Sequence, residues 1–548
     1  VTVSTFASRF IPCPPFTDQR PGTAGLRRRV AVFQQQHYLE MFIQAALNVL
    51  ALPPGATLVL GGDGRFHNRA AAQAILRLAA ANGIARVIVG RGGLLSTPAA
   101  SHLIRKSGAD GGFLLTASHN PGGPDGDFGV KFNTRTGGQA PEELSTALYQ
   151  ETTRLTGYRI ADLPAVDLDH IGTLSLGPFT VEVVDPVAEY VTLLEGLFDF
   201  GRLQDWVRAG HRLRFDAMHG ITGPYARRIF VDLLGCSPES VVHGDPREDF
   251  GGLHPDPNPV DGADLVAAAL GSGPPDLLAA SDGDGDRNMI LGPGCIVSPG
   301  DSVAVLLDNL RLVPGYRHGV PGVARSMPTS RALDVVAAQL GLPCYETPTG
   351  WRFFCNLLEA GRIGLCGEES FGTGSSHVRE KDGLWAVLMW LSVVAATGRS
   401  VGEVLGHHWA RYGRHLFQRH DYTIADATRG DELVEALRAG LPRLAGTRPA
   451  GATTQLADDF TYHDPVDGSE SAHQGIRVGM DDGTRIVYRL SGTGTSGATL
   501  RVYLEQYVPA PGLIADGGAA ALAQLGRTAA RLARIADYAG SDQPSMVV

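Results

Sequence analysis

Short apolar runs that end in glycine-rich or acidic loops recur along this chain. Thr57–Leu60 runs into Gly61-Gly-Asp-Gly-Arg, Val87–Val89 into Gly90-Arg-Gly-Gly, and Phe113–Leu115 into Thr116-Ala-Ser-His-Asn-Pro-Gly-Gly. Between them the apolar spacing turns helical, over Asn68 to Asn82 and Ala99 to Lys106. Alternation of strand-length runs with helical periods predicts βαβ units and a mainly parallel sheet. The rhythm returns at Arg212–Phe215 before Asp216-Ala-Met-His-Gly, at Asp276–Ala280 before Ser281-Asp-Gly-Asp-Gly-Asp-Arg, and at Arg362–Leu365 before Cys366-Gly-Glu-Glu-Ser. We therefore expect three successive α/β domains, although no internal repeat can be aligned. From about residue 416 the pattern changes. Asp421–Thr423, Ile476–Val478 and Thr484–Leu490 read as antiparallel strands flanked by amphipathic helices at Gly430–Ala439 and Ala519–Tyr538. The expected layout is 1–196, 197–299 and 300–415 as α/β domains with mixed, mainly parallel sheets, then a smaller α+β domain at 416–548, around a central cleft. Open α/β sheets bind ligands at the carboxyl ends of their strands, where the loops above fall.

Length agrees with that division, since 548 residues exceed what one hydrophobic core supports. The most apolar stretch, Leu384 to Thr397, is interrupted by Ser392 and too short for a bilayer, so it reads as a buried helix and no membrane role is expected. A net charge of −10 argues against nucleic acid as the partner, yet leaves room for a locally basic cleft. The six cysteines are scattered without a CxxC, and the N-terminus lacks a charged-then-apolar leader pattern. A reducing, cytoplasmic setting is the expectation.

Four loops carry the candidate chemistry. In Thr116-Ala-Ser-His-Asn-Pro-Gly-Gly-Pro a strand delivers Ser118 onto a loop that can continue neither sheet nor helix. Ser118 is then either an exposed nucleophile, with Lys131 able to fold back onto it, or a turn residue bonding only the backbone. In Asp282-Gly-Asp-Gly-Asp-Arg, carboxylates at alternate positions suit a hard divalent cation, with Arg287 placed for a phosphate shared with the metal. An EF-hand is excluded because the twelfth position counted from Asp282 is Pro293; a solvated acidic turn stays open. In Cys366-Gly-Glu-Glu-Ser-Phe-Gly, either Glu368 or Glu369, with Ser370, could bind sugar hydroxyls, or the segment could be a cap or turn. Arg379-Glu-Lys-Asp-Gly could be only a charged helix start. Finally, Arg489-Leu-Ser-Gly-Thr-Gly-Thr-Ser-Gly-Ala-Thr-Leu-Arg501 offers backbone N–H groups, hydroxyls and two guanidiniums to a phosphate, without a Walker A ending. A flexible hairpin is its bland alternative. A simple phosphatase would have no use for the separate phosphate clamp.

Together with Pro21-Gly-Thr-Ala-Gly-Leu-Arg, Gly61-Gly-Asp-Gly-Arg-Phe, Asp216-Ala-Met-His-Gly, Ser326-Met-Pro-Thr-Ser and Glu346-Thr-Pro-Thr-Gly-Trp, these loops make the chain resemble the α-D-phosphohexomutases nearly end to end. Within that family it is most similar to the long, glucose-selective phosphoglucomutase branch. The resemblance implies interconversion of α-D-glucose 1-phosphate and glucose 6-phosphate through a phosphoserine and a glucose 1,6-bisphosphate intermediate, on a monomer with Mg²⁺ and a sugar phosphate as its small-molecule partner. It implies Ser118 as the phosphoserine and a metal ligand, with Asp282, Asp284 and Asp286. Glu368 and Ser370 match the sugar-recognition pair, and Thr349 and Gly350 another substrate loop. Arg489, Ser491, Thr493 and Arg501 match the phosphate loop. Arg27, His119, Lys131, Arg287 and Lys381 match basic residues of the cleft. Lys131 is the expected general base or acid, its pKa lowered by neighbouring cations, with Lys381 and His119 as rivals.

Ala24, Ser376 and Ser281 depart from the family pattern, which has serine, an acidic residue, and an aromatic or apolar residue there; none removes a nucleophile or a ligand. The other readings are a mutase for mannose or N-acetylglucosamine phosphates, a glucose 1,6-bisphosphate synthase, and a non-catalytic scaffold.

Overall fold

The computed structural model describes residues 6–22, 24–491, 497–510 and 518–548. Three α/β sheets follow one another, then a six-stranded antiparallel sheet. In the first sheet the central strands Thr57–Gly62, Arg86–Leu94 and Gly111–Leu115 run parallel, and Asp127–Thr134 returns antiparallel beside the last of them. The second pairs Leu213–Asp216 in parallel with Leu277–Ala280, beside which Met289–Gly292 returns antiparallel. The third pairs Val323–Ser326 in parallel with Leu365–Glu368, followed by antiparallel Gly372–Ser375. The architecture is thus mixed with parallel centres, as the hydrophobic pattern implies.

One device repeats in all three sheets. A buried parallel strand ends, a short loop reverses the chain, and an antiparallel strand leads back. The Ser118 loop, the three-aspartate loop and the Glu368–Ser370 loop are those three reversals. Burial on both faces explains why the delivering strands read as unbroken apolar runs: Leu277–Ala280 is inaccessible throughout.

The predicted buried helix is Gly383–Thr397, with Asp382 accepting the Trp385 N–H as its cap and every residue from Gly383 to Val394 buried. It packs on helix Phe200–Arg208 and strands Leu277–Ala280 and Gly372–Ser375, so one apolar core runs through the first three units. Helix Val401–Tyr412 follows at an angle of 83°, and among the described residues no single helix is long and apolar enough to cross a membrane. The fourth unit has its own core of Leu500, Val502, Leu504, Ile486 and Tyr488 under helix Ala519–Leu532.

Two local expectations need correction. The strand expected at Arg362–Leu365 is Leu365–Glu368, because Gly361 closes the preceding helix with positive φ and the chain needs Arg362 to Gly364 to reach the sheet. The helix expected over Ala519–Tyr538 is two helices, Ala519–Leu532 and Ile535–Ala539, broken where Arg534 adopts φ 51°.

Candidate active site

The Ser118 loop is fastened from beneath. Arg65, wholly buried, takes Asp63 through Nε at 2.9 Å and donates from Nη2 to the Ser118 carbonyl at 2.7 Å and from Nη1 to the Asp127 carbonyl at 2.9 Å. Thr116 Oγ1 donates to Asp63 at 2.6 Å and accepts the Ser118 N–H at 2.7 Å. Ser118 itself has φ 54°, an uncommon conformation for a residue with a Cβ. Its hydroxyl donates to Asp282 Oδ2 at 3.0 Å, and His119 Nδ1 lies 3.3 Å from the same oxygen. Ser118 thus bonds more than the backbone, its Oγ aimed at a carboxylate of the second α/β unit, but it is buried rather than exposed as the loop composition suggested, because the three-aspartate loop packs over it. The close approach depends on Gly283, where a Cβ would lie 2.7 Å from the Ser118 carbonyl oxygen.

Asp282, Asp284 and Asp286 are all buried, and one oxygen from each lies within 4.8 Å of the others. Asp282 Oδ1 is committed to the N–H groups of Asp286 and Arg287 at 2.9 and 3.0 Å, which curls the loop. Asp284 Oδ2 accepts from Thr97 Oγ1 at 2.8 Å. Asp284 Oδ1 and Asp286 Oδ1 are buried with no hydrogen-bond partner among the described residues. Burial and the charges of Asp284 and Asp286 push the Asp282 carboxyl well above the usual range. An all-oxygen set of three clustered carboxylates, two of whose oxygens accept no hydrogen bond among the described residues, fits a hard divalent cation, so this cluster could hold a metal.

Two ammonium groups face the cluster. Lys131 Nζ lies 3.7 Å from Asp284 and 3.6 Å from Glu380, while Lys381 Nζ lies 3.4 Å from Asp286 and 3.8 Å from Glu368. Burial alone would lower both, but the surrounding carboxylates outweigh it and raise both pKa values. The expectation that cations depress Lys131 is thus wrong: its nearest charges are acidic. His119 is lowered well below the ordinary imidazole value, first by burial and then by Arg287 and Arg27. Burial likewise lowers Arg27, which feels Asp284 and Arg287. Arg287 donates to Asp256 at 2.8 Å.

The two glutamates of the third loop point in different directions. Glu368 points toward the cleft, accepting the Gly350 N–H at 3.0 Å and facing Lys381, and burial raises its pKa. Glu369 turns the other way, to Ser326 at 2.7 Å and Tyr503 at 3.2 Å. Ser370 is half-buried at the reversal, and Thr349, beside Gly350, has a buried Oγ1 with no hydrogen-bond partner among the described residues. Arg379-Glu-Lys-Asp-Gly is more than a helix start. Asp382 takes the Tyr190 hydroxyl at 2.6 Å and His377 Nε2 at 2.9 Å, and His377 Nδ1 meets Ser375 Oγ at 2.7 Å. This inaccessible network nails down the segment that presents Glu380 and Lys381.

In the fourth unit Arg489 lies opposite Arg501 on neighbouring strands, and Ser491 ends the first of them. Asp421 Oδ2 lies 3.8 Å from Arg501 Nε. Arg287 and Glu369 are among the charges that Arg501 feels, so the clamp borders the same cleft. Thr493 lies outside the described residues. Reading the sequence missed Asp63, Arg65, Thr97, Thr116, Glu380 and Tyr503 as residues that hold the site. Asp63 and Arg65 lie within the quoted Gly-Gly-Asp-Gly-Arg motif, Thr116 opens the serine loop and Glu380 lies in Arg379-Glu-Lys-Asp-Gly; Thr97 and Tyr503 carried no local mark.

The chain matches the alpha/beta/alpha domains I, II and III of phosphoglucomutase/phosphomannomutase over residues 18–159, 188–294 and 299–412, and the phosphoglucomutase-1 C-terminal domain over 414–545. It is 50% identical to a phosphoglucomutase of Rhizobium radiobacter over 533 residues, covering 97% of this chain and 98% of that one. It is 46% identical to a cytoplasmic phosphoglucomutase of Pisum sativum across the full length of both, and 48% identical to a chloroplastic one of Solanum tuberosum over 98% of this chain and 87% of that one. Among solved structures, the open form of the exocytosis-sensitive phosphoprotein pp63/parafusin, a phosphoglucomutase from Paramecium, superposes with a TM-score of 0.91 at 44% identity over the whole of both chains. The chain belongs to the phosphoglucomutase/phosphomannomutase family.

Proposed function

We propose that this protein interconverts α-D-glucose 1-phosphate and glucose 6-phosphate by passing a phosphoryl group to and from Ser118. The observation that carries the reading is the Ser118 hydroxyl held 3.0 Å from Asp282, beside two buried carboxylate oxygens that accept no hydrogen bond among the described residues. Full-length relatives named phosphoglucomutase support the choice of sugar. The working units are 1–196, 197–299, 300–415 and 416–548.

In the working enzyme Ser118 carries the phosphoryl group. Asp282, Asp284, Asp286 and phospho-Ser118 would hold Mg²⁺, which when bound neutralises charge on the phosphoryl oxygens. Glucose 1-phosphate binds with its phosphate on Arg489, Ser491, Thr493 and Arg501, and its hydroxyls on Glu368, Ser370, Thr349 and Gly350. O6 attacks phosphorus, the bond from phosphorus to Ser118 Oγ breaks, and the O6 proton leaves to a base. Glucose 1,6-bisphosphate then turns over, and Ser118 Oγ takes the phosphoryl group from O1, releasing glucose 6-phosphate. Phosphoryl transfer asks the protein mainly for positioning and charge stabilisation. Arg27, Arg287, Lys131 and Lys381 supply positive charge, and the two lysines, held as ammonium, serve better as proton donors than as acceptors. His119, 3.3 Å from Ser118 Oγ, is better placed than either lysine to accept the serine proton that Asp282 receives here at 3.0 Å. The enzyme works as a monomer in the cytoplasm.

Incubation with radiolabelled glucose 1,6-bisphosphate tests the reading. Label is expected on Ser118, and Ser118→Ala is expected to abolish turnover in an assay coupled to glucose 6-phosphate. Label on another residue with full activity in Ser118→Ala would overturn it.

A further inference from the structure

Ser326-Met-Pro-Thr-Ser has no role in the reaction above, yet the fourth unit holds it at several points. Arg485 of the fourth unit donates to the Met327 carbonyl at 2.7 Å and the Thr329 carbonyl at 2.6 Å. The Arg331 N–H donates to Glu505 at 2.8 Å, and Glu505 also receives Arg485 at 2.8 Å. Met327 packs with Phe353, Phe460, Val487 and Tyr503. Third and fourth units are thus joined by a seam of buried polar and apolar contacts.

Glu369 lies in that seam. One oxygen accepts from Ser326 Oγ at 2.7 Å, and the other from Tyr503 Oη at 3.2 Å across the domain boundary. Tyr503 follows Arg501 by two positions on strand Ala498–Val508, so the two side chains share one face of the sheet. Arg489 lies directly opposite Arg501. The neighbours of Glu369 in the same loop face elsewhere. Glu368 holds Gly350 and faces Lys381, and the Phe371 carbonyl accepts the Asn288 N–H at 2.8 Å, just beyond the metal loop. Within four residues, one reversal of the chain therefore meets the sugar side through Glu368, the strand that carries Arg501 through Glu369, and the end of the three-aspartate loop through Phe371.

We propose that Glu369 is a positioning residue that sets the distance between the sugar-binding loop and the Arg489/Arg501 clamp by holding Tyr503 and Ser326 across the seam. The inference rests on the phosphoglucose reading above. A hexose phosphate has a fixed span from its phosphate to its ring hydroxyls, so both halves of the site gain full affinity only when held at that span. The clamp grips the non-reacting phosphate equally in ground and transition states, so loosening it raises KM and leaves kcat nearly unchanged.

The test uses the full chain. In proteins with Ser118 intact, Glu369→Ala is expected to raise KM for glucose 1-phosphate about tenfold, the size of one lost hydrogen bond to a charged group, with kcat within about threefold of wild type. Glu369→Gln, which keeps the shape and an acceptor oxygen, is expected to recover most of that loss. Tyr503→Phe is expected to raise KM several-fold, and the Glu369→Ala/Tyr503→Phe pair no further than Glu369→Ala alone. In parallel, calorimetry with glucose 1-phosphate compares Ser118→Ala with Ser118→Ala/Glu369→Ala, where about tenfold weaker binding is expected. Unchanged KM in Glu369→Ala, or kcat and KM collapsing together without rescue by glutamine, overturns the proposal, as does full multiplication of the two single effects. Should Glu369→Ala fail to fold, Tyr503→Phe carries the test: a several-fold rise in KM with kcat kept supports the proposal, and an unchanged KM overturns it. A Ser118→Ala parent that binds no glucose 1-phosphate sinks the functional reading and this proposal with it. A parent that binds, with the Glu369→Ala form binding equally well, sinks this proposal alone.

Discussion

Arg65 is the side chain whose loss should tell most about how the serine loop is held. It and Asp63 are both inaccessible, and the guanidinium reaches two backbone carbonyls of the loop besides the carboxylate. In Arg65→Met the chain keeps a buried Asp63 with only Thr116 Oγ1 and the backbone N–H of residue 65 to satisfy it. Removing one member of a buried ion pair costs about 3–5 kcal/mol. For a unit the size of the first α/β domain that is a fall in Tm of roughly 10 °C. Arg65→Lys should rescue little, since an ammonium cannot span Asp63, Ser118 and Asp127 at once. Adding Asp63→Asn removes the stranded charge and should restore more than half of the loss. The pH dependence carries a sign. Burial raises the Asp63 pKa, with Arg65 and Thr116 opposing, so losing Arg65 raises it further. A carboxyl whose folded pKa exceeds its unfolded value of about 3.9 binds its proton more tightly when folded. Stability then falls as pH rises through the window between those values. The deficit of Arg65→Met relative to Arg65→Met/Asp63→Asn should therefore be largest near neutrality and shrink in acid. Thermal unfolding by circular dichroism at a series of pH values measures this. A Tm for Arg65→Met within 2 °C of wild type, or no recovery on adding Asp63→Asn, would refute the reasoning.

Three further outcomes follow from the same contacts. Thr97→Val removes the 2.8 Å hydrogen bond that orients Asp284, and should weaken activation by Mg²⁺ about 10–100-fold in a metal titration, with Thr97→Ser close to wild type. Stripping with EDTA should abolish turnover and added Mg²⁺ should restore it; full activity after stripping would remove the metal from the scheme. Glu505 is held well below the usual carboxylate range because Arg485, His415 and Arg331 outweigh its burial. The stabilisation it gives is present above its unfolded pKa and lost as pH falls through the folded value. The stability gap between wild type and Glu505→Gln should accordingly narrow as pH drops below about 4.

Local physics determined much of this protein from the sequence alone. Apolar runs such as Phe113–Leu115 and Asp276–Ala280 read as strands because both their faces are buried, and helix Gly383–Thr397 was legible because no position on it meets water until Ala395. Alternating aspartates separated by glycines marked a cluster that could hold a cation, and the structure does bring the three carboxylates together. The tertiary structure decided which charges meet. Lys131 lies far in sequence from Glu380 and Asp284, so the acidic field that raises its pKa had no local trace. Glu368 and Glu369 are chemically identical neighbours, and only the direction of the chain at the reversal separates a residue facing the cleft from one facing Tyr503. The break at Arg534 was likewise invisible, because arginine favours helix and only packing against the fourth sheet turns the chain there. Periodicity reports what a segment buries; long-range contact decides what a charge does.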